Sequence, residues 1–210
     1  MCETAKQTAK DLLRIKAVKI NVNNHFVWAS GWNSPVYCDN RKTLSYPDIR
    51  KLIYTAFVEK INEKYSDCEV IAGVATGAIA HGILVAETLN KPFVYVRSSP
   101  KAHGMENLIE GELTENSKVV VIEDLVSTGG SSIAAVNAIR KANCKVLGML
   151  AIFSYEFDAA TENFRAANCD LTTLCDYTTL LNEAINCGYI NASDMEIINN
   201  WRKSPETWKK

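Results

Sequence analysis

The 210-residue sequence has almost no net charge, −1 from 23 basic and 24 acidic side chains, so the basic excess of a dedicated nucleic-acid binder is missing. It has no apolar run near the roughly 18 residues of a membrane span. Met1 to Lys19 mixes charged and apolar residues and lacks a signal-peptide core, so the expected location is cytoplasmic. Seven cysteines are scattered, odd in number and without a C-x-x-C, which excludes a disulfide framework and a zinc site as natural readings. There is no G-K-[ST] of a nucleotide P-loop, no G-x-G-x-x-G, no internal repeat and no Pro/Gly-rich linker. What remains is a single globular domain of ordinary composition, 47% hydrophobic and 22% charged.

The apolar pattern predicts an α/β fold with a mostly parallel central sheet flanked by helices. Short continuous apolar strands at Val70 to Ala75, Pro92 to Arg97, Lys118 to Glu123 and Val146 to Phe153 alternate with helical stretches at Ala78 to Leu89 and Ser131 to Asn143. A further helix–strand pair is expected over Ala159 to Leu174. An amphipathic helix is expected over Thr4 to Val18, and another starts at Pro47, where the missing N–H costs nothing. His25 to Trp28 and Pro35 to Asp39 read as short strands about a Ser-Gly turn, with Tyr37 as a core residue. Terminal helices are expected at Thr179 to Asn186 and Ser193 to Trp201, the latter opened by a Ser193–Glu196 capping box. Ser98 to Glu112 is a polar stretch longer than usual connections, a length that generally marks a functional loop.

Val119 to Ser132, VVVIEDLVSTGGSS, carries the chemistry. An apolar strand delivers the acids Glu123 and Asp124 to its carboxyl end, where α/β sheets bind ligands and where two carboxylates can take vicinal sugar hydroxyls. Leu125 and Val126 lead into Ser127, Thr128, Gly129, Gly130 and Ser131, whose backbone N–H groups can wrap a phosphate at a helix N-terminus. A Gly-Gly turn alone is commonplace; this uninterrupted order is not.

The segment resembles the phosphoribosyl pyrophosphate motif of type I phosphoribosyltransferases, and the resemblance implies that fold. It also implies that the acid pair binds the ribose hydroxyls and the following loop the 5-phosphate. Arg97, Lys101, His103 and Gly104, with Ile109-Glu110-Gly111 after them, resemble the catalytic loop of orotate phosphoribosyltransferases, although that family's second basic residue is Ser98 here. Three donors within seven residues suit a departing pyrophosphate. Ala29 to Pro47, ASGWNSPVYCDNRKTLSYP, resembles the same family's N-terminal hood over the base, so residues 1–47 are expected to form a helix plus hood on one 1–210 domain. Two departures stand out: Ala29 replaces a lysine found in some members, and Ser154-Tyr155 stands where some carry Asp-Arg.

By that resemblance the reaction is transfer of phosphoribosyl to orotate, with Lys101, His103 and Asp124 catalytic and Ser127 touching orotate. Tyr37, Thr76 and Gly77 are weaker candidates, the last two within G-V-A-T-G, similar to the family's pyrophosphate loop. Mg²⁺ is expected as cofactor, held by substrate oxygens and water rather than by a protein cage. A homodimer with shared sites is implied. The rivals are a purine-using relative and a phosphoribosyl pyrophosphate sensor controlling transcription; the hood and K-x-H-G loop oppose the first, the charge balance the second.

Overall fold

The computed structural model describes residues 3–99 and 108–209. In chain order its elements are α1 (Glu3–Arg14), β1 (Val18–Ile20), β2 (Phe26–Val27), β3 (Asn33–Ser34), β4 (Val36–Cys38), a 3-10 helix (Asn40–Ser45), α2 (Pro47–Lys64), β5 (Val70–Val74), α3 (Ile79–Leu89), β6 (Phe93–Val96) and β7 (Ile109–Glu110). There follow β8 (Lys118–Val126), α4 (Gly130–Lys141), β9 (Lys145–Ser154), α5 (Asp158–Ala166), β10 (Leu171–Asp176), α6 (Tyr177–Asn186), a 3-10 turn (Ala192–Asp194) and α7 (Met195–Lys203).

Six strands form one sheet in the order β10-β9-β8-β5-β6-β7, parallel except for the antiparallel edge pair β6–β7. Its central strands are apolar on both faces because helices cover both. Along β8, Val120 and Ile122 face one core with α1, α2 and α6, while Val119 and Val121 face the other with α4 and α5. The chain leaves β5 through α3 to one side and β8 through α4 to the other. Between these two strands lies the topological switch point, where α/β sheets open a crevice at the strands' carboxyl ends.

The expected fold class is the one found, and the differences are local. The first helix ends at Arg14 and Val18 begins β1, because Lys16 takes a positive φ of 55° that halts the helix. The strand expected from Pro35 to Asp39 is β4, but it pairs with β1, while β2 pairs with the separate two-residue β3, and a break at Pro35 divides β3 from β4. Ser34 makes the break, its hydroxyl accepting from the Val36 N–H (3.0 Å) and donating to the Val36 carbonyl (2.6 Å). Tyr37 is not core; β4 alternates buried Val36, exposed Tyr37 and buried Cys38. Leu125 and Val126 belong to β8 rather than to the phosphate loop, and Val126 is fully buried with its carbonyl taken by the Tyr155 N–H. The C-terminal capping box is formed by Asn191 and Asp194, not Ser193 and Glu196. The long polar stretch contains a strand, β7; residues 100–107, with Lys101, His103 and Gly104, lie outside the described residues. Among the described residues no helix is long and apolar enough to cross a membrane.

Candidate active site

Two cavities open side by side over the switch point, of about 440 and 520 Å³, sharing Cys38 and Leu125 as a common wall. The first is polar. Thr76 and Gly77 reach it from the β5–α3 turn, Arg97 and Ser98 from the end of β6, Glu123 and Asp124 from β8, Ser131 from α4, and Asp39 and Arg41 from the segment after β4. The second is walled by Trp28, Trp32 and Tyr37 of the β2–β4 segment and by Tyr155, with Ser30, Ser127 and Thr128 at its polar edge. Its described lining holds no lysine or arginine, and the two departures noted above, Ala29 and Tyr155, both face it.

Local sequence explains the phosphate loop. Gly129 adopts a φ of +80°, which glycine reaches without strain, and immediately starts α4. A Cβ there would also meet the Phe164 ring at 3.0 Å. The first N–H groups of α4 have no intrahelical acceptor and turn their positive end toward an anion. Asn163 secures the loop from outside, its Nδ2 donating to the Thr128 carbonyl at 2.9 Å.

The acid pair is asymmetric. Glu123 is buried, its carboxyl accepting from Ser132 Oγ and from the Asp124 N–H, both at 3.0 Å. Asp124 is half-buried and its carboxyl lies over Gly77, where any Cβ would overlap it. Burial, and then the Asp124 charge, push the Glu123 carboxyl up to about 8; burial also raises Asp124, with the Arg41 charge working against it. Two adjacent acids this shielded cannot both ionise cheaply, and Glu123, the more deeply buried, is the one that holds a proton more firmly.

This has a consequence for stability. Between its ordinary value of 4.5 and about 8 the folded Glu123 holds a proton that the unfolded chain has lost. Its contribution is therefore complete below that window and lost as pH rises through it, by at most about 1.4 kcal/mol per pH unit. Urea midpoints of the protein should fall with pH between about 6.5 and 8, above the range in which neutral His81 acts in the opposite sense, and Glu123→Gln should flatten the slope. A slope unaffected by the substitution would assign the proton elsewhere.

Neighbours hold this geometry. Asn40 is buried; its Nδ2 donates to the Asp124 carbonyl (2.6 Å), and its Oδ1 accepts from Cys38 Sγ (3.2 Å). Thr43 Oγ1 donates to the Asn40 carbonyl (2.6 Å) and so takes its other bond, 3.0 Å, from the His81 Nε2–H on α3. Burial, then the Arg50 charge, lower His81 to about 4, which keeps it neutral. Burial first, then Asp124, raises the Cys38 thiol, so it stays protonated on the shared wall. Arg41 Nε donates to Asp39 Oδ1 at 2.6 Å and holds that carboxyl below its usual range. Arg97 Nη1 pairs with Glu110 Oε1 at 3.2 Å across the β6–β7 edge.

The structure thus brings Arg97, Thr76, Gly77, Glu123, Asp124 and Ser131 to one cavity and Tyr37, Ser127 and Thr128 to the other. Gly129 and Gly130 shape the turn between β8 and α4. Sequence reasoning assigned no role to Asn40, Arg41, Cys38, Trp28 or Trp32. Arg41 was within reach, because it stands in register in the S-P-x-Y-x-D-x-R run; nothing in the sequence marks Asn40.

The model of the phosphoribosyl transferase domain matches residues 42–175. An orotate phosphoribosyltransferase of Porphyromonas gingivalis is 59% identical over 203 residues, 97% of each chain. Among solved structures, orotate phosphoribosyltransferase from Aeropyrum pernix superposes with a TM-score of 0.75 at 27% identity, over 87% of this chain and 99% of the other. The UMP synthase of Leishmania donovani gives 0.78 at 25%, over 94% of this chain, which spans 42% of that longer one. The match takes in part of each cavity's lining and, in the P. gingivalis relative, runs nearly end to end: the chain belongs to the phosphoribosyl transferase domain family, among its orotate phosphoribosyltransferases.

Proposed function

We propose that the chain transfers the phosphoribosyl group of phosphoribosyl pyrophosphate to orotate, releasing orotidine 5-monophosphate and pyrophosphate. The observation that carries this reading is the paired cavity: a charged chamber and an aromatic chamber meet at Cys38 and Leu125. A phosphorylated sugar and a flat base can therefore approach each other across one wall. Asp124, with Glu123 behind it, takes the ribose hydroxyls, and Ser127 to Ser131 take the 5-phosphate on the N–H groups that open α4. Thr76, Gly77 and Arg97 face the pyrophosphate, with Lys101 and His103 contributed by the loop. Trp28 and Tyr37 offer rings to the base, and Ser127 its hydroxyl.

The transition state gathers positive charge at the anomeric carbon and negative charge on the leaving group. Positioning and charge complementarity therefore do most of the work. Asp124, the less buried member of the pair, stabilises the sugar cation, and the loop cations the departing oxygens. Among the described residues no three His, Cys, Asp or Glu side chains cluster to hold a metal. Asp124, the less buried acid on the charged wall, fits an ion that arrives on substrate oxygens and keeps much of its water. Mg²⁺ bound in that way neutralises pyrophosphate charge. The working unit in this proposal is one domain, with residues 1–47 as helix and hood, acting as a cytoplasmic homodimer with shared sites and with no nucleic-acid partner. Purified protein given phosphoribosyl pyrophosphate, Mg²⁺ and orotate should release pyrophosphate and orotidine 5-monophosphate in equal amounts. Pyrophosphate release without the nucleotide would mean hydrolysis and would refute transfer.

A further inference from the structure

Most of the aromatic chamber's lining, from Val27 to Cys38, lies ahead of the matched domain, which runs from residue 42 to 175 and supplies Leu125, Ser127, Thr128 and Tyr155. Its walls Trp28 and Trp32 flank the turn of the β2–β3 hairpin, whose strands are two residues each. A ribbon that short does not hold its shape alone in water. The other end of the chain meets it. Trp201 of α7 is completely buried, and its Nε1 donates to the Asn33 carbonyl at 3.0 Å, across 168 residues of sequence. Its ring packs edge-on against Trp28 at 5.6 Å and against Tyr155 at 5.8 Å, two walls of the chamber. Further along the tail, Asn33 Nδ2 donates to the Lys209 carbonyl at 2.6 Å, and the Trp208 ring meets His25 edge-on at 5.9 Å.

We propose that the C-terminal segment, through Trp201, is a clamp that holds the hood in its base-accepting shape, making Trp201 a positioning residue for the acceptor and not for the phosphorylated sugar. The charged chamber is built from the β5–α3 turn, the ends of β6 and β8, α4 and the segment after β4, and the tail supplies none of its lining. Loosening the clamp lowers the fraction of molecules whose acceptor pocket is formed, and the apparent affinity for the base falls by that fraction. The clamp itself is read from geometry alone; its effect on orotate rests on the function proposed above.

The test combines hydrogen–deuterium exchange with steady-state kinetics on the full chain. Trp201→Phe keeps a ring and removes the donor; Trp201→Leu removes both. In Trp201→Phe, amides of residues 26–38 should exchange about tenfold faster, the loss of one buried hydrogen bond, while amides of β5 and β8 keep their protection. In Trp201→Leu the KM for orotate should rise at least about tenfold, with the KM for phosphoribosyl pyrophosphate within about twofold, and phenylalanine should restore most of the loss. Unchanged hood protection in both variants overturns the clamp. Equal rises in both KM values, or a fall in kcat alone, overturn its role in acceptor binding. If Trp201→Leu fails to fold, Trp201→Phe decides by itself. If the unaltered enzyme does not turn over orotate, the functional reading fails, and the exchange arm still decides the clamp.

Discussion

Alanine at Asp124 should lower kcat/KM for the transfer by about 10²- to 10³-fold, with most of the loss in kcat. Asp124 is the less buried acid of the pair, beside a Glu123 that burial holds toward its protonated form, and it is fixed from two sides. Asn40 grips its carbonyl at 2.6 Å, and the bare Cα of Gly77 leaves room for its carboxyl. A charge held in that way needs no reorganisation when the sugar becomes cationic, so its value is realised in the transition state rather than in substrate binding. Asp124→Asn, which keeps the shape, should lose nearly as much as alanine. Gly77→Ala reaches the same end without removing any charge: its methyl overlaps the carboxyl and must displace it, and activity should fall about tenfold or more. Near-normal kcat in Asp124→Ala would remove the acid pair from the chemistry.

Lys101→Ala should cost a comparable 10²- to 10³-fold in kcat, with affinity for phosphoribosyl pyrophosphate within a few-fold, because the pyrophosphate's extra charge develops only as its bond to the sugar breaks. Lys101 lies outside the described residues, so this expectation comes from its order in the sequence, four residues after Arg97 and ahead of Glu110. Arg97 itself is tied to Glu110 across the β6–β7 edge. If the loop serves the neighbouring subunit's site, mixing Lys101→Ala with Asp124→Ala protein should regenerate intact sites, about a quarter of the total after random exchange. Stable mixed dimers with no recovered activity would confine each loop to its own subunit.

The sheet, its order of helices and the phosphate loop were legible because local pattern dictates them. A run such as Val119 to Ile122 is apolar on both faces only if helices cover both, and S-T-G-G-S ahead of a helix has few other uses. The hood was legible as a motif but not as a structure. Its short strands take their form from partners far along the chain: β4 from β1, and the β2–β3 turn from Trp201. Tyr37 shows the same limit, since an aromatic in a strand is usually core and only the pairing of β4 shows which face is out. The unequal roles of Glu123 and Asp124 depend on Ser132, Asn40 and Gly77, and two adjacent letters cannot show which acid is turned inward.

Choice of base is the most direct measurement of the central claim. With phosphoribosyl pyrophosphate and Mg²⁺ held constant, the purified chain should be offered orotate, adenine, hypoxanthine and uracil separately, and nucleotide formation followed. Turnover with orotate, and at least about 10³-fold less with the other three, is the predicted result, since a pocket built around one acceptor's polar groups penalises those that leave them unpaired. Turnover of a purine without turnover of orotate would contradict it.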